Sequence, residues 1–266
     1  RIHSALQKDP DWEHPDRSLN AQNDAHRAYF TDYVVKELGD EAADLLDRVL
    51  PTYPPFGKRM LMDNGWYRML RNPKVRLVDE RVARVDSGRL YADDGTEYDA
   101  DVLVIATGFD VLNFITTYEA KGRSGVSLAD QWEHDNAQAY LGTVVPNFPN
   151  FFTLYGPNLQ PGHGGSLIFV VEMQVRYIMD MIQKMLDQNI GSVEIRQEVH
   201  DGYNQDVDQA HEQMVWTHPG MTSYYRNDRG RIVVNSPWRN VDFYEMTREA
   251  NLSDYLIEPV SELVAD

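Results

Sequence analysis

The 266-residue chain has no cysteine. A disulfide framework, a thiolate zinc site and a thiolate nucleophile are thereby excluded, and the absence suits a reducing, cytoplasmic setting. Basic residues are scarce: 25 Lys and Arg stand against 42 Asp and Glu, a formal net charge of -17. Such a balance repels a phosphate backbone and an anionic lipid surface, so neither nucleic acid nor membrane is expected as a partner. Long apolar runs are lacking too. The most apolar stretch, 167–186, is interrupted by Glu172, Arg176, Asp180 and Lys184 at four-residue spacing. That is the pattern of an exposed helix face carrying i,i+4 ion pairs, not of a membrane span. Met173, Met179, Met181 and Met185 of the same stretch read as core. The chain opens on Arg1 with neither a methionine nor an apolar leader, which reads as a piece of something longer.

Several catalytic and cofactor fingerprints are missing as well. The only Gly-x-Gly, Gly162-His163-Gly164, has Leu167 where a dinucleotide loop needs its third glycine. Gly57-Lys58 is followed by Arg59 and has Thr52 at the upstream glycine position, so there is no Walker loop. The eight histidines are scattered outside any His-Glu-x-x-His spacing, and no metal site is expected. His163-Gly164-Gly165-Ser166 looks like a lipase oxyanion loop, but no Gly-x-Ser-x-Gly elbow supplies a nucleophile. The three glycines otherwise read as a tight turn before a helix.

What is present is a mixed α/β pattern. Apolar spacing predicts a helix over 21–38, with Ser18 and Asn20 as candidate caps and Gly39 as its stop, and a second helix over 40–50 that Asp40 can cap. Pro51, Pro54 and Pro55 end it. A helical turn near Trp66 is followed by strand candidates at 75–79, 82–85, 89–92 and 97–99, with an Asp94-Gly95 turn between the last two. Residues 102–106 are uninterrupted apolar, as in a strand covered on both faces. Beyond them, strands are expected at 141–145, 151–155 and 193–196, helices at 167–186, 199–214 and 242–250, and a hairpin over 223–234.

Val102-Leu103-Val104-Ile105-Ala106-Thr107-Gly108-Phe109-Asp110 closely resembles the strand ending in Ala-Thr-Gly of flavoprotein monooxygenases. Tyr53-Pro54-Pro55-Phe56-Gly57-Lys58-Arg59 with Gly65-Trp66-Tyr67, Gly156-Pro157-Asn158, and Glu172-Met173-Gln174-Val175-Arg176-Tyr177-Ile178 resemble segments of the type I Baeyer–Villiger monooxygenases. Asp9-Pro10-Asp11-Trp12, Arg17-Ser18-Leu19-Asn20, His26-Arg27-Ala28-Tyr29-Phe30 and Trp216-Thr217-His218-Pro219-Gly220-Met221 are most similar to the 4-hydroxyacetophenone monooxygenase branch. The likeness covers essentially the whole chain. It implies an α/β fold, the C-terminal part of a two-dinucleotide-binding-domain flavoprotein with a small helical insert. Its implied divisions are 1–57 helical subdomain, 58–109 end of the NADPH domain and 110–266 end of the FAD domain.

The implied activity is insertion of one oxygen atom of O2 next to the carbonyl of an aryl or other bulky ketone, using FAD and NADPH and giving esters or lactones. The chain alone would lack the pyrophosphate loops and be inactive. Its partners would be a small-molecule ketone and O2, with a homodimer left open. By resemblance, Arg59 matches the active-site arginine, whose guanidinium stays cationic while negative charge develops during oxygen transfer. Lys58 matches the lysine at the 2′-phosphate of NADPH. Thr107 and Gly108 lie where the backbone passes the cofactors, Asn158 belongs to the FAD domain, and Gly165 and Ser166 open the helix directed at the flavin. Tyr224 stands where many members have a tryptophan near the nicotinamide, and hairpin packing of Tyr224 and Tyr225 is the other reading. An N- or S-oxidising flavin monooxygenase and a non-catalytic interaction module are the alternatives.

Overall fold

The computed structural model describes residues 2–115, 117–162 and 164–260. In chain order its elements are α1 (Ile2–Ala5), α2 (Ala21–Leu38), a 3-10 turn (Asp40–Leu45) running into α3 (Leu46–Val49), α4 (Trp66–Met69), β1 (Val82–Asp86), β2 (Arg89–Ala92) and β3 (Glu97–Asp99). Then follow α5 (Leu128–Gln131), α6 (Leu167–Asp187), β4 (Ile190–Ile195), α7 (Gln197–Glu212), α8 (Asn240–Met246) and β5 (Tyr255–Pro259). They form two compact units: a larger one from residues 1–24, 53–60 and 110 onward, and a smaller one from 25–52 and 61–109. The units are not sequential: 1–24 and 53–60 fold with the C-terminal part.

In the smaller unit, α2 and the turns after it bury Val34, Leu38, Ala42 and Leu70 against Leu45, Val49, Tyr67 and Leu77. Asn20 caps α2 by accepting from the Asn23 N–H at 2.9 Å, and Gly39 ends it with φ +59. Ser18 does not cap: its hydroxyl accepts from the Trp12 indole and donates to Asp24. The 40–50 stretch is helical but kinked at Ala42, and Gly39 rather than Asp40 holds the cap position, without a side-chain bond. β1, β2 and β3 form an antiparallel sheet, and the β2–β3 turn is the expected one, with Asp94 accepting from both the backbone and the hydroxyl of Thr96. Residues 75–79 form no strand. Nor do 102–106, where Val102, Val104 and Ile105 are 79%, 79% and 77% exposed. A run that is apolar on both faces needs a strand on each side, and none of the described strands flanks it.

In the larger unit, α6 buries Val170, Met173, Gln174, Tyr177 and Met181, the i,i+4 face that packs on β4, Phe243 and Tyr255. Met185 packs beside them, but Met179 is exposed because a residue two positions from Tyr177 lies round the far side of the helix. Of the expected charge ladder only Asp180–Lys184 forms, at 2.9 Å. Arg176 instead lies over the Tyr244 ring at 4.2 Å and donates to its carbonyl. β4 pairs antiparallel with β5, a strand the sequence pattern did not suggest. The strands expected at 141–145 and 151–155 do not form: the first is a turn closed by a Tyr140–Val144 bridge and the second irregular chain ending in a bend. Leu141, Asn147, Asn150, Tyr155 and Asn158 all have positive φ, which breaks the period-two alternation a strand requires. The 223–234 hairpin is closed by a single bridge, Arg226 to Ile232. The N-terminal arm is held on the same unit by Lys8 N–H to Gln213 and Val215 N–H to Leu6.

Candidate functional site

Residues 53–60 enter the larger unit as a short tongue. Pro54 and Pro55 are buried, and Phe56, at φ +68, packs on the cluster of Leu6, Leu19, Trp216 and Tyr225. Gly57 lies so close to the Met221 thioether that an added Cβ would fall 2.2 Å from Sδ. Lys58 and Arg59 follow directly. The Lys58 ammonium sits 4.8 Å from the centre of the Tyr53 ring, a cation–π contact. Arg59 is exposed, and its charge acts on Tyr155 and Tyr225. Burial raises both phenols above their ordinary value, and the guanidinium opposes that rise. Most arginines of the chain pair with carboxylates, as in Arg48–Asp79, Arg123–Glu258 and Arg231–Asp208. Among the described residues neither Lys58 nor Arg59 has such a partner.

Tyr225 is buried and its hydroxyl accepts from the Tyr224 hydroxyl at 3.2 Å and from Gln160 Nε2 at 3.3 Å. Tyr224 is itself 45% exposed, its ring 4.4 Å from that of Tyr225. Tyr155 is held by its backbone N–H donating to Gln174 Oε1 at 2.8 Å. Gln174 also donates to Gly142 O, Thr143 Oγ1 and Thr153 O, so one buried amide fixes the whole approach to Tyr155.

At the glycine-rich turn, a Cβ on Gly162 would meet Trp216 at 2.5 Å, and Gly165 combines φ +134 with Asn240 Nδ2 at 2.9 Å from its missing Cβ. Only glycine fits at Gly165. His163 lies outside the described residues. Ser166 then caps α6, accepting from the Phe169 N–H at 3.4 Å, while Leu167 and Ile168 leave the first turn exposed. The positive end of a 21-residue helix is thus open to an anionic group. Asn158 is buried beneath. Its amide donates to the carbonyls of Ile232 and Asn235 and accepts from Arg231, so a side-chain contact to any ligand would displace one of these bonds. Thr107 and Gly108 belong to the smaller unit; both are exposed, and Gly108 has φ +92. No atom lies within 4 Å of a Cβ at Gly108, so within this chain its constraint is conformational, not steric.

The larger unit therefore gathers Lys58, Arg59 and Tyr224 with Tyr155, Gln160 and Tyr225. Sequence reasoning missed Tyr155, Gln160 and Gln174 as parts of this arrangement. Tyr155 directly precedes Gly156-Pro157-Asn158 and Gln174 lies within the Glu172–Ile178 motif, which were usable signals; nothing marked Gln160. Among the described residues no helix is long and apolar enough to cross a membrane, and no three His, Asp or Glu side chains gather as a metal site.

No family model matches the chain. It is 49% identical over 258 residues to an uncharacterized monooxygenase, y4iD, of Sinorhizobium fredii, covering 97% of this chain and 39% of that protein. A Baeyer-Villiger monooxygenase of Pseudomonas aeruginosa is 29% identical over 224 residues, 84% of this chain and 42% of its own. Among solved structures, steroid monooxygenase bound to NADP aligns with TM-score 0.77 at 23% identity, covering 95% of this chain and 47% of that one. OTEMO in complex with FAD and NADP aligns with TM-score 0.78 at 22% identity, covering 90% and 45%. The chain has the mixed helix-and-strand fold of the C-terminal part of such two-domain flavoproteins. Its relatives by sequence are monooxygenases, Baeyer-Villiger enzymes among them. The chain spans about two fifths of the length of the curated relatives it matches.

Proposed function

We propose that this chain is the C-terminal part of a type I Baeyer–Villiger monooxygenase that uses FAD and NADPH to convert ketones to esters or lactones. The observation that carries the reading is the Lys58–Arg59 pair, set on a docked tongue, without a carboxylate partner among the described residues of an acidic chain, and with Arg59 acting on the half-buried Tyr155 and the buried Tyr225. The sequence relatives named Baeyer-Villiger monooxygenase and the FAD- and NADP-bound structures support the class and the two cofactors. The branch around 4-hydroxyacetophenone monooxygenase, and with it a bulky aryl ketone as substrate, rests on the motifs at 9–12, 17–20, 26–30 and 216–221.

The residues present fit such cofactors: Gly165 is a position that a Cβ would fill, α6 offers an open positive end, and Lys58 and Arg59 are cations suited to a phosphate and to a developing oxyanion. When bound, FAD supplies the activation of O2 and NADPH the reducing hydride. Lys58 binds the coenzyme's 2′-phosphate as a point charge. Arg59 holds the negative charge that develops on oxygen as it is delivered to the carbonyl, and it does so without a proton to lose. Gly165 and Ser166 would hold the flavin at the first N–H groups of α6, Thr107 and Gly108 would let the backbone pass the nucleotides, and Tyr224 would contact the nicotinamide. The exposed run Val102 to Ile105 would become a strand if further sheet of such an enzyme covered it on both sides.

The test is Arg59→Ala in the full-length protein. Flavin reduction by NADPH should remain near wild type while ester formation falls about a hundred- to a thousandfold, the range seen when one oxyanion donor is removed. Stopped-flow reduction and product analysis on the same preparation measure both; equal loss of the two would make Arg59 a structural residue.

A further inference from the structure

Nothing in Arg59's own contacts fixes it. The side chain is exposed and has no ion pair among the described residues, so its position is set by the backbone of residues 53–60, which leave the smaller unit, join the larger one and return. Phe56 packs in the core cluster, and the Gly57 N–H closes a turn onto Pro54 O at 3.3 Å. A buried side chain, that of Asn23, donates a hydrogen bond to the tongue's backbone. This amide is fully buried: Nδ2 donates to Ala5 O at 2.9 Å and to Pro55 O at 3.2 Å, while Oδ1 accepts from Leu19 N–H at 3.3 Å. One side chain thus joins α1, the loop before α2 and the tongue. On the other side, the Met221 thioether fills the space in front of Gly57. Met221 ends the Trp216–Met221 motif, which is anchored in turn by His218 Nε2 donating to Pro15 O at 2.7 Å.

We propose that Asn23 and Met221 are positioning residues for Arg59, holding residues 53–60 so that the guanidinium is delivered beside Tyr155 and Tyr225. The proposal deepens the oxygenase reading and rests on it for its catalytic consequence. The chemistry of the contact is specific. An aspartate at 23 would set a carboxylate against two carbonyl oxygens and could not donate to Pro55, so Asn23→Asp should loosen the tongue while leaving side-chain volume unchanged. Asn20 is the control. It donates to Ser4 O and Gln7 O, anchoring the same arm without touching the tongue, and Asn20→Asp keeps a good cap on α2.

In the full-length protein, Asn23→Asp should lower ester formed per NADPH oxidised about five- to tenfold, the effect of losing one buried hydrogen bond. Asn20→Asp should leave that ratio unchanged. Gly57→Ala should lower it as well, since the new methyl meets the thioether, and Met221→Ala should lower it too, because the side chain that fills the space in front of Gly57 is gone. A readout independent of turnover is the Tyr155 phenol, followed by NMR of ring-labelled tyrosine. Displacing Arg59 removes a charge that lowers this titration, so Asn23→Asp should raise it and Asn20→Asp should not. Unchanged coupling and an unmoved Tyr155 in Asn23→Asp, or an equal change in Asn20→Asp, would overturn the proposal. If Arg59→Ala left coupling intact, the oxygenase role of Arg59 would fall, and the Tyr155 titration would then decide the positioning on its own.

Discussion

Gln174→Leu isolates the effect of one buried amide on the fold around the site. Leucine has about the same size and should sit on α6 without steric conflict, so what changes is hydrogen bonding. Four contacts disappear, but they are not equivalent. Gly142 O keeps the Thr153 hydroxyl at 3.0 Å, and the Thr143 hydroxyl keeps its donation to Leu141 O at 2.9 Å. Thr153 O loses a long 3.3 Å bond, and Tyr155 N–H loses its 2.8 Å acceptor. One donor and one acceptor left without partners cost about 1–3 kcal/mol each. The apolar gain from leucine offsets about 1 kcal/mol of this, giving a net loss of about 1–5 kcal/mol. Because two units need not unfold together, the sharper measurement is local: amide exchange at Tyr155 together with urea unfolding followed by tryptophan fluorescence. The Tyr155 amide, held at φ +55, should exchange faster by a factor matching the stability loss. A loss below about 0.5 kcal/mol with Tyr155 exchange unchanged would show that the loop at 141–158 is held by something other than Gln174.

Burial lowers the pKa of His211 from 6.5 to about 3, while its Nε2–H donation to Asn235 O favours the proton and the nearby Arg231 charge opposes it. The unfolded chain therefore takes up a proton below 6.5 that the folded chain refuses. Stability from this residue is complete above 6.5 and declines by up to about 1.4 kcal/mol per pH unit as the pH falls toward 3. His211→Gln, which keeps a donor for Asn235 and removes the titration, should flatten the acid limb of a denaturation series from pH 7 to 4, and parallel limbs would refute the assignment. For Lys58→Ala in the full-length protein, NADPH affinity should drop about ten- to a hundredfold with NADH affinity nearly unchanged, as loss of one charged contact to a 2′-phosphate requires. A common drop for both coenzymes would move Lys58 to a role in holding the tongue.

The long amphipathic helices were legible because their patterns are answered within the chain: α2 between Asn20 and Gly39, α6 behind Ser166 with Met173, Tyr177 and Met181 on one face. The β1–β3 meander was legible from its turn. Residues 102–106 were misread as a formed strand since a pattern reports what a segment needs and not whether the partner is at hand. At 141–155 apolar composition imitated strands, while the side-chain bonds of Thr153 and Gln174 favour turns with residues in the left-handed region. β5 escaped because a five-residue segment ending in Pro259 carries little signal of its own and is fixed by pairing with β4. At the site, Lys58 and Arg59 stood out by motif. Their neighbours Tyr155, Gln160 and Tyr225 could not, since they lie about a hundred or more residues away and meet the tongue only through tertiary packing.

The route of the chain through its two units also bears on how the molecule folds and how it can be cut. Completing the larger unit closes two excursions, 25–52 and 61–109, on either side of an eight-residue visit. Closure entropy grows only slowly with loop length, and an excursion that has already folded is shorter still, so early formation of α2 and the β1–β3 meander would ease docking of residues 53–60. A single nick at 52/53 or 60/61 severs the larger unit's middle segment from one neighbour and the smaller unit's two segments from each other. No one truncation therefore releases either unit whole, and recombination that exchanged one of them would have to join the chain at several points at once.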